Sequence, residues 1–148
     1  MSFIRIPQDR VGVLIGKGGE TKKEIERMGN VSLKVDSAGS VEIIGDPVSE
    51  YRVVEVVKAI GRGMSPEKAL KLLKDEMLML CVVEIPFDSH KDLVRVKGRL
   101  IGEKGKARRV IEETLGVEVS IYRHFVAIIG NFEEITLADE AVRRLIRG

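Results

Sequence analysis

The chain has 148 residues, 44% hydrophobic and 32% charged, with a formal net charge of +2. That length and apolar content suit one domain or two small ones and exclude a disordered polyelectrolyte, while so small a net charge means that affinity for a polyanion must come from local clusters. A single cysteine, Cys81, excludes an internal disulfide and a cysteine-based metal site, and reads as a small core residue. The start of the chain lacks a basic, apolar leader and no apolar run reaches the length of a membrane span, which predicts a soluble, cytoplasmic protein with no membrane partner.

In chain order, a short apolar strand from Phe3 to Ile6 comes first and stops at Pro7, which removes a ladder donor. Val11, Val13, Leu14 and Ile15 then form an apolar turn of helix that runs into Gly16-Lys17-Gly18-Gly19. Two glycines flanking two residues at a helix start let backbone approach a bulky group with no Cβ in the way. The free N–H groups of the helix start favour an anion there, and with Lys17 in the loop the expected anion is a phosphate. The next helix carries Thr21, Lys22, Lys23, Ile25 and Met28 and ends near Gly29-Asn30. Alternating positions Val31, Leu33, Val35 and Val41, Ile43 predict two strands joined by the loop Asp36 to Ser40. A helix with an apolar side at Val53, Val56, Val57 and Ile60 closes the unit.

Ser65-Pro66 then marks a fresh helix start, serine as N-cap and proline at the first helical position. Leu70, Leu72 and Leu73 are too apolar for a free tether, so this connector is expected to pack between two units and hold them at a fixed angle. The second half of the chain repeats the first. Aligning Gly16 with Gly102, an offset of 86, sets Ile25 on Ile111, Glu26 on Glu112 and Val31 on Val117. At an offset of 85, Val41 then falls on Val126, Gly45 on Gly130 and Gly63 on Gly148. A period this long means a duplicated domain. The second copy has its strand at Met79 to Ile85, a loop Gly102-Glu103-Lys104-Gly105, strands at Val117–Ile121 and Phe125–Ile129, and a last helix with Ala138, Ala141, Val142 and Leu145 apolar. It also carries about seven extra residues ahead of its loop, within Asp88 to Lys97. The expected fold is α+β: two units, 1–63 and 76–148, joined by a connector helix at 64–75, each a three-stranded antiparallel sheet covered by three helices in the order β-α-α-β-β-α.

Charge gathers at the second loop. From Arg95 to Arg109 there are seven basic residues and one acid, Glu103. A run of this kind is most simply a solvated helix face, but its coincidence with Gly-x-x-Gly favours a binding face. Other chemistry fails on spacing. Gly12 to Gly18 resembles a nucleotide-binding P-loop only superficially, with three residues between glycines where four are needed and Gly18 where a hydroxyl must hold Mg²⁺. His90 and His124 have no ligand partners at metal spacing. No nucleophile and base are suggested, so neither an enzyme nor a cofactor is expected. Four Phe, two Tyr and no Trp argue against the aromatic stacking sheets of other RNA-binding folds.

Val11-Gly12-Val13-Leu14-Ile15-Gly16-Lys17-Gly18-Gly19 with Ile25, and Arg99-Leu100-Ile101-Gly102-Glu103-Lys104-Gly105-Lys106 with Ile111, resemble the KH-domain signature, and the element order matches its type I form. The connector Gly63 to Leu70 and the run Val96 to Gly102 resemble archaeal tandem-KH factors of small-subunit ribosome assembly, relatives of the eukaryotic partner of Nob. The resemblance implies single-stranded RNA as partner, in particular small-subunit ribosomal RNA near its 3′ end, with a PIN-type nuclease or a translation initiation factor as possible protein partners. It implies phosphate contacts at Gly16, Gly18, Gly19, Gly102 and Gly105, with Lys17, Lys104, Lys22, Lys23, Lys106, Arg109, Arg10 and Arg99 adding charge. Gly12, Leu14, Ile15, Leu100 and Ile101 would floor the base site, where plain core is an equal reading for the two isoleucines, and Lys34 and Arg123 would line the far wall. Glu103 opposes a phosphate by about 1 kcal/mol at a wet surface. The alternative is a protein–protein adaptor that uses the two units as a scaffold, with the extra segment Asp88 to Lys97 as a docking element.

Overall fold

A computed structural model describes residues 1–148 and divides them into two compact units, Met1–Glu76 and Met77–Gly148. The first has strands β1 (Ser2–Arg5), β2 (Ser32–Val35) and β3 (Ser40–Ile44), and helices α1 (Val11–Ile15), α2 (Glu20–Gly29) and α3 (Pro47–Gly61). Its sheet is antiparallel in the order β1-β3-β2, so β3 is central and β2 is an edge. The second has β4 (Met79–Glu84), β5 (Glu118–Tyr122) and β6 (Phe125–Gly130), in the order β4-β6-β5, with α6 (His90–Ile101), α7 (Lys106–Leu115) and α8 (Phe132–Arg147).

Alternation decides which side of each sheet meets the helices. In the first unit Leu33, Val41 and Ile43 are buried, as are Val53, Val56, Val57 and Ile60 on α3. In the second, Val83, Val119, Val126 and Ile128 form a core with Val96 and Leu100 of α6, Ile111 of α7, and Ala138 and Val142 of α8. Helix ends are closed by local chemistry. Asp46 accepts from Ser49 N–H at 2.9 Å to start α3, and Asn131 and Glu134 form a reciprocal capping box at α8. The loop-bearing helices end at left-handed Asn30 (φ 55°) and Gly116 (φ 70°).

The expected connector helix is two short turns, α4 (Pro66–Ala69) and α5 (Lys71–Lys74), broken at Leu70. Both belong to the first unit and pack on α3. The buried residues are Ala69 and Leu72, while Leu70 and Leu73 are only half-buried. Arg52 of α3 fixes α5 by donating to the carbonyls of Leu72 (3.3 Å) and Leu73 (3.0 Å). The extra segment before the second loop is helical. It extends α6 to twelve residues, where α1 has five.

Candidate nucleic-acid interface

Each glycine loop sits between two helices, α1 and α2 or α6 and α7. The two loops have nearly the same backbone. Gly16 has φ 75° and ψ 172°, Gly102 φ 74° and ψ 175°. Gly19 and Gly105, the caps of the next helices, have φ 78° and 77°. Gly18 (φ 62°) corresponds to Lys104 (φ 53°), so the second loop holds an L side chain in the left-handed region. The first glycine of each loop is required twice over, by positive φ and by space. A Cβ on Gly16 collides with the Thr21 side chain, and one on Gly102 stands 2.6 Å from the Ala107 nitrogen. The other loop glycines face open space. A Cβ at Gly18 or Gly19 would meet nothing within 4 Å, and one at Gly105 would meet only the guanidinium nitrogens of Arg109 (3.9 Å) and Arg108 (4.0 Å).

Neither α2 nor α7 has a side-chain cap at its start, and the first N–H of each, on Glu20 and Lys106, bonds the carbonyl of Lys17 or Glu103. Over residues 17–23 the first loop has Lys17, Lys22 and Lys23 against Glu20, net +2. Over 103–109 the second has Lys104, Lys106, Arg108 and Arg109 against Glu103, net +3. Lys17, Lys23, Glu103, Lys104, Lys106 and Arg109 are exposed, and Lys22 is half-buried. The loop helices lie against one edge strand of each sheet, and the same bond fastens them in both units. Glu26 accepts from Leu33 N–H at 2.9 Å, and Glu112 from Val119 N–H at 3.1 Å.

Several expected contacts have other work. Leu14 and Leu100 are 0% and 1% exposed, wholly core, because each anchors its helix against the sheet and neither can touch a base. Ile15 and Ile101 are half-buried at the loop. Arg10 and Arg99 turn inward. Arg10 donates from Nε to the Ile60 carbonyl (2.8 Å) and from Nη2 to that of Met64 (2.9 Å). Arg99 donates to the carbonyls of Leu145 (2.8 Å) and Ile146 (2.9 Å). Arg10 thus ties the last turn of α3 and the loop after it, and Arg99 ties the last turn of α8. Lys34 neighbours buried Leu33 and so leaves the sheet on the face away from the helices, opposite Glu42. Arg123 lies at the left-handed tip of the β5–β6 turn (φ 54°), 5.3 Å from the Tyr122 ring centre.

Two residues were given no contact role in the sequence reading. Gly98 matches Gly12 at the offset of 86, and both accept the bond from the first loop glycine at 2.9 Å. Both are exposed, and outside the helix's own turns a Cβ on either would meet nothing within 4 Å. A glycine in an exposed helix costs about 0.5–1 kcal/mol relative to alanine. No packing against another element explains that cost at either glycine. Arg108 is the other. Its Nε is 3.6 Å from Glu112, and its guanidinium reaches back to Gly105. Both were recoverable, Gly98 by carrying the alignment four residues further and Arg108 from its counterpart Lys22.

Comparison with known proteins agrees with this geometry. Residues 2–75 match a family profile described as KH domain, and residues 79–148 match the eukaryotic type KH-domain (KH-domain type I) in its PNO1 second-domain form. A KH domain-containing protein of Methanocaldococcus jannaschii is 45% identical over 100% of this chain and 68% of its own length. The pre-rRNA-processing protein PNO1 of Eremothecium gossypii is 30% identical over 70% of this chain, which is 40% of that protein. Dim2p from Pyrococcus horikoshii OT3 has a crystal structure similar at TM-score 0.93 and 43% identity, covering 99% of this chain and 90% of that one. The a/eIF2alpha–aDim2p–rRNA complex from the same organism gives 0.90 and 43%, covering 99% and 85%.

Proposed function

The chain belongs to the KH-domain family, as a tandem type I protein with a PNO1/Dim2-like second domain, and from that premise we propose that it binds single-stranded RNA in ribosome assembly. The target is small-subunit ribosomal RNA near its 3′ end, and the binding elements are the two glycine-loop grooves. The observation that carries this is the repetition of one unusual backbone, φ 75°, 62°, 78° against 74°, 53°, 77°, at two helix starts with cations around them. Backbone N–H groups and Lys17 or Lys104 take phosphates, and the bare backbone at Gly12 and Gly98 lets a base lie on the helix. The part of each groove at the glycine loop suits about four nucleotides. With about five phosphates neutralised at roughly 0.7 each, log K against log salt has a slope near −3.5. The test is titration with single-stranded and duplex RNA of one sequence across a salt series. Salt-independent affinity, or a preference for duplex, would sink the reading.

A second role as a seat for a protein is favoured by one observation, the presence of a/eIF2alpha in the complex of the related Pyrococcus protein. The α subunit of the initiation factor is the partner to test first, and a PIN-type nuclease the next. Co-sedimentation with and without RNA separates a direct seat from one bridged by RNA.

A further inference from the structure

The extension of α6 has a composition that the groove alone does not use. Lys91, Arg95, Gly98 and Gly102 stand at i, i+4, i+7 and i+11, which is one line along a helix. The opposite side, Leu93, Val96 and Leu100, enters the core. The line therefore begins at the loop, passes the bare backbone of Gly98, and continues into two cations. Lys91 and Arg95 are exposed, and Arg95 shares its charge with Asp92 at 3.2 Å. Beside the line stands Val94, 55% exposed with Leu93 rather than itself serving the core. An apolar patch flanked by two cations matches a nucleotide, with its flat base and charged phosphate. At about 1.5 Å rise per residue, Lys91 lies about 10 Å beyond Gly98 along the axis. The first unit has nothing equivalent. Its five-residue α1 is preceded by a tight turn whose cation, Arg10, is spent on carbonyls.

We propose that the two grooves differ in length: the first takes about four nucleotides and the second about six, the additional two lying along α6 with phosphates on Lys91 and Arg95 and a base against Val94. This rests on the RNA-binding reading above and assigns a function to the segment by which the two units differ most.

The experiment uses the full chain and fluorescein-labelled random-sequence single-stranded RNA pools of four, six and eight nucleotides. With the first loop disabled (Lys17→Asp with Gly18→Asp), affinity rises about fivefold from four to six nucleotides and then levels off. With the second disabled (Glu103→Asp with Lys104→Asp), it levels off at four. Lys91→Ala with Arg95→Ala removes two exposed cations, and makes the salt slope on the eight-nucleotide pool shallower by about 1.4, at roughly 0.7 per phosphate. A charge-matched pair on α8, Arg143→Ala with Arg144→Ala, leaves it unchanged. If RNA binding persists and responds to the loop variants while the Lys91 and Arg95 pair changes neither slope nor length dependence, the longer groove is refuted and the RNA reading stands. If the α8 pair lowers the slope as much, the effect is general charge and the proposal is again refuted. If the unaltered chain binds none of the pools, the RNA reading itself falls.

Discussion

Replacing Gly98 by alanine should make the protein more stable and worse at binding RNA. The site is inside the twelve-residue α6, it is exposed, its φ is not left-handed, and an added Cβ meets no neighbouring element within 4 Å. The methyl group therefore introduces no clash and removes backbone freedom from the unfolded chain, a gain of about 0.5–1 kcal/mol. For a unit of the size of Met77–Gly148 that raises the melting temperature by about 2–8 °C. In the complex the same methyl group stands where a base would lie on the helix. A base contact is worth about 1–3 kcal/mol, and holding it off by one carbon should cost about tenfold in affinity. The assay pairs a thermal melt followed by circular dichroism with an anisotropy titration against single-stranded RNA. Gly12→Ala in the first unit is the companion, with a smaller stability gain because α1 has only five residues. If Gly98→Ala destabilises the unit, the close-approach reasoning fails at its first step. If stability rises and affinity is unmoved, the bare backbone has no role in binding.

Lys104→Gly relieves a left-handed L residue and should stabilise the second unit by about 1 kcal/mol, while removing a cation and so making the salt slope shallower by about 0.7. Arg99→Ala removes two charge-assisted bonds to the end of α8 and should lower stability by about 2 kcal/mol, with RNA affinity below the melting point within twofold of the starting value. Because the second loop has the larger local charge, Glu103→Asp with Lys104→Asp, a change of −2, should weaken RNA binding more than Lys17→Asp with Gly18→Asp, a change of −3; equal or reversed losses would leave the second unit without its lead. The Glu50 carboxyl, held down to about 2 by the Met1 ammonium, the Ser2 hydroxyl and the Gly45 N–H, is ionised in the fold and contributes fully above its unfolded value of 4.5. Its stabilisation should be lost as pH falls from about 4.5 towards 2, and Glu50→Gln should melt earlier at pH 7 and flatten that acid limb.

The element order and both glycine loops could be read in the sequence because each rests on near neighbours: a period of two, a helix start, four residues in a row. The failures are all of longer range. Arg10 and Arg99 were counted with the loop cations, since nothing local reveals that their acceptors lie 46 to 54 residues away. Leu14 and Leu100 sit beside a binding loop in sequence, and only the sheet packed beneath them makes them core. The break at Leu70 went unseen because the leucines suggested one continuous apolar side, whereas the buried set is Ala69 and Leu72.

The inward arginines also make each loop a portable part. Arg10 comes six residues before its loop and Arg99 three, yet their Nε atoms donate to carbonyls at matching places, Ile60 and Leu145, both at 2.8 Å. The acceptor is main chain, which any residue supplies, and the donor travels on the same segment as the loop. A segment from residue 8 to 19, or from 89 to 105, thus carries its own latch. Exchanged between the units, each would close on the host's helix, α3 or α8, without a compensating change there, and the chimera would inherit the donor's groove.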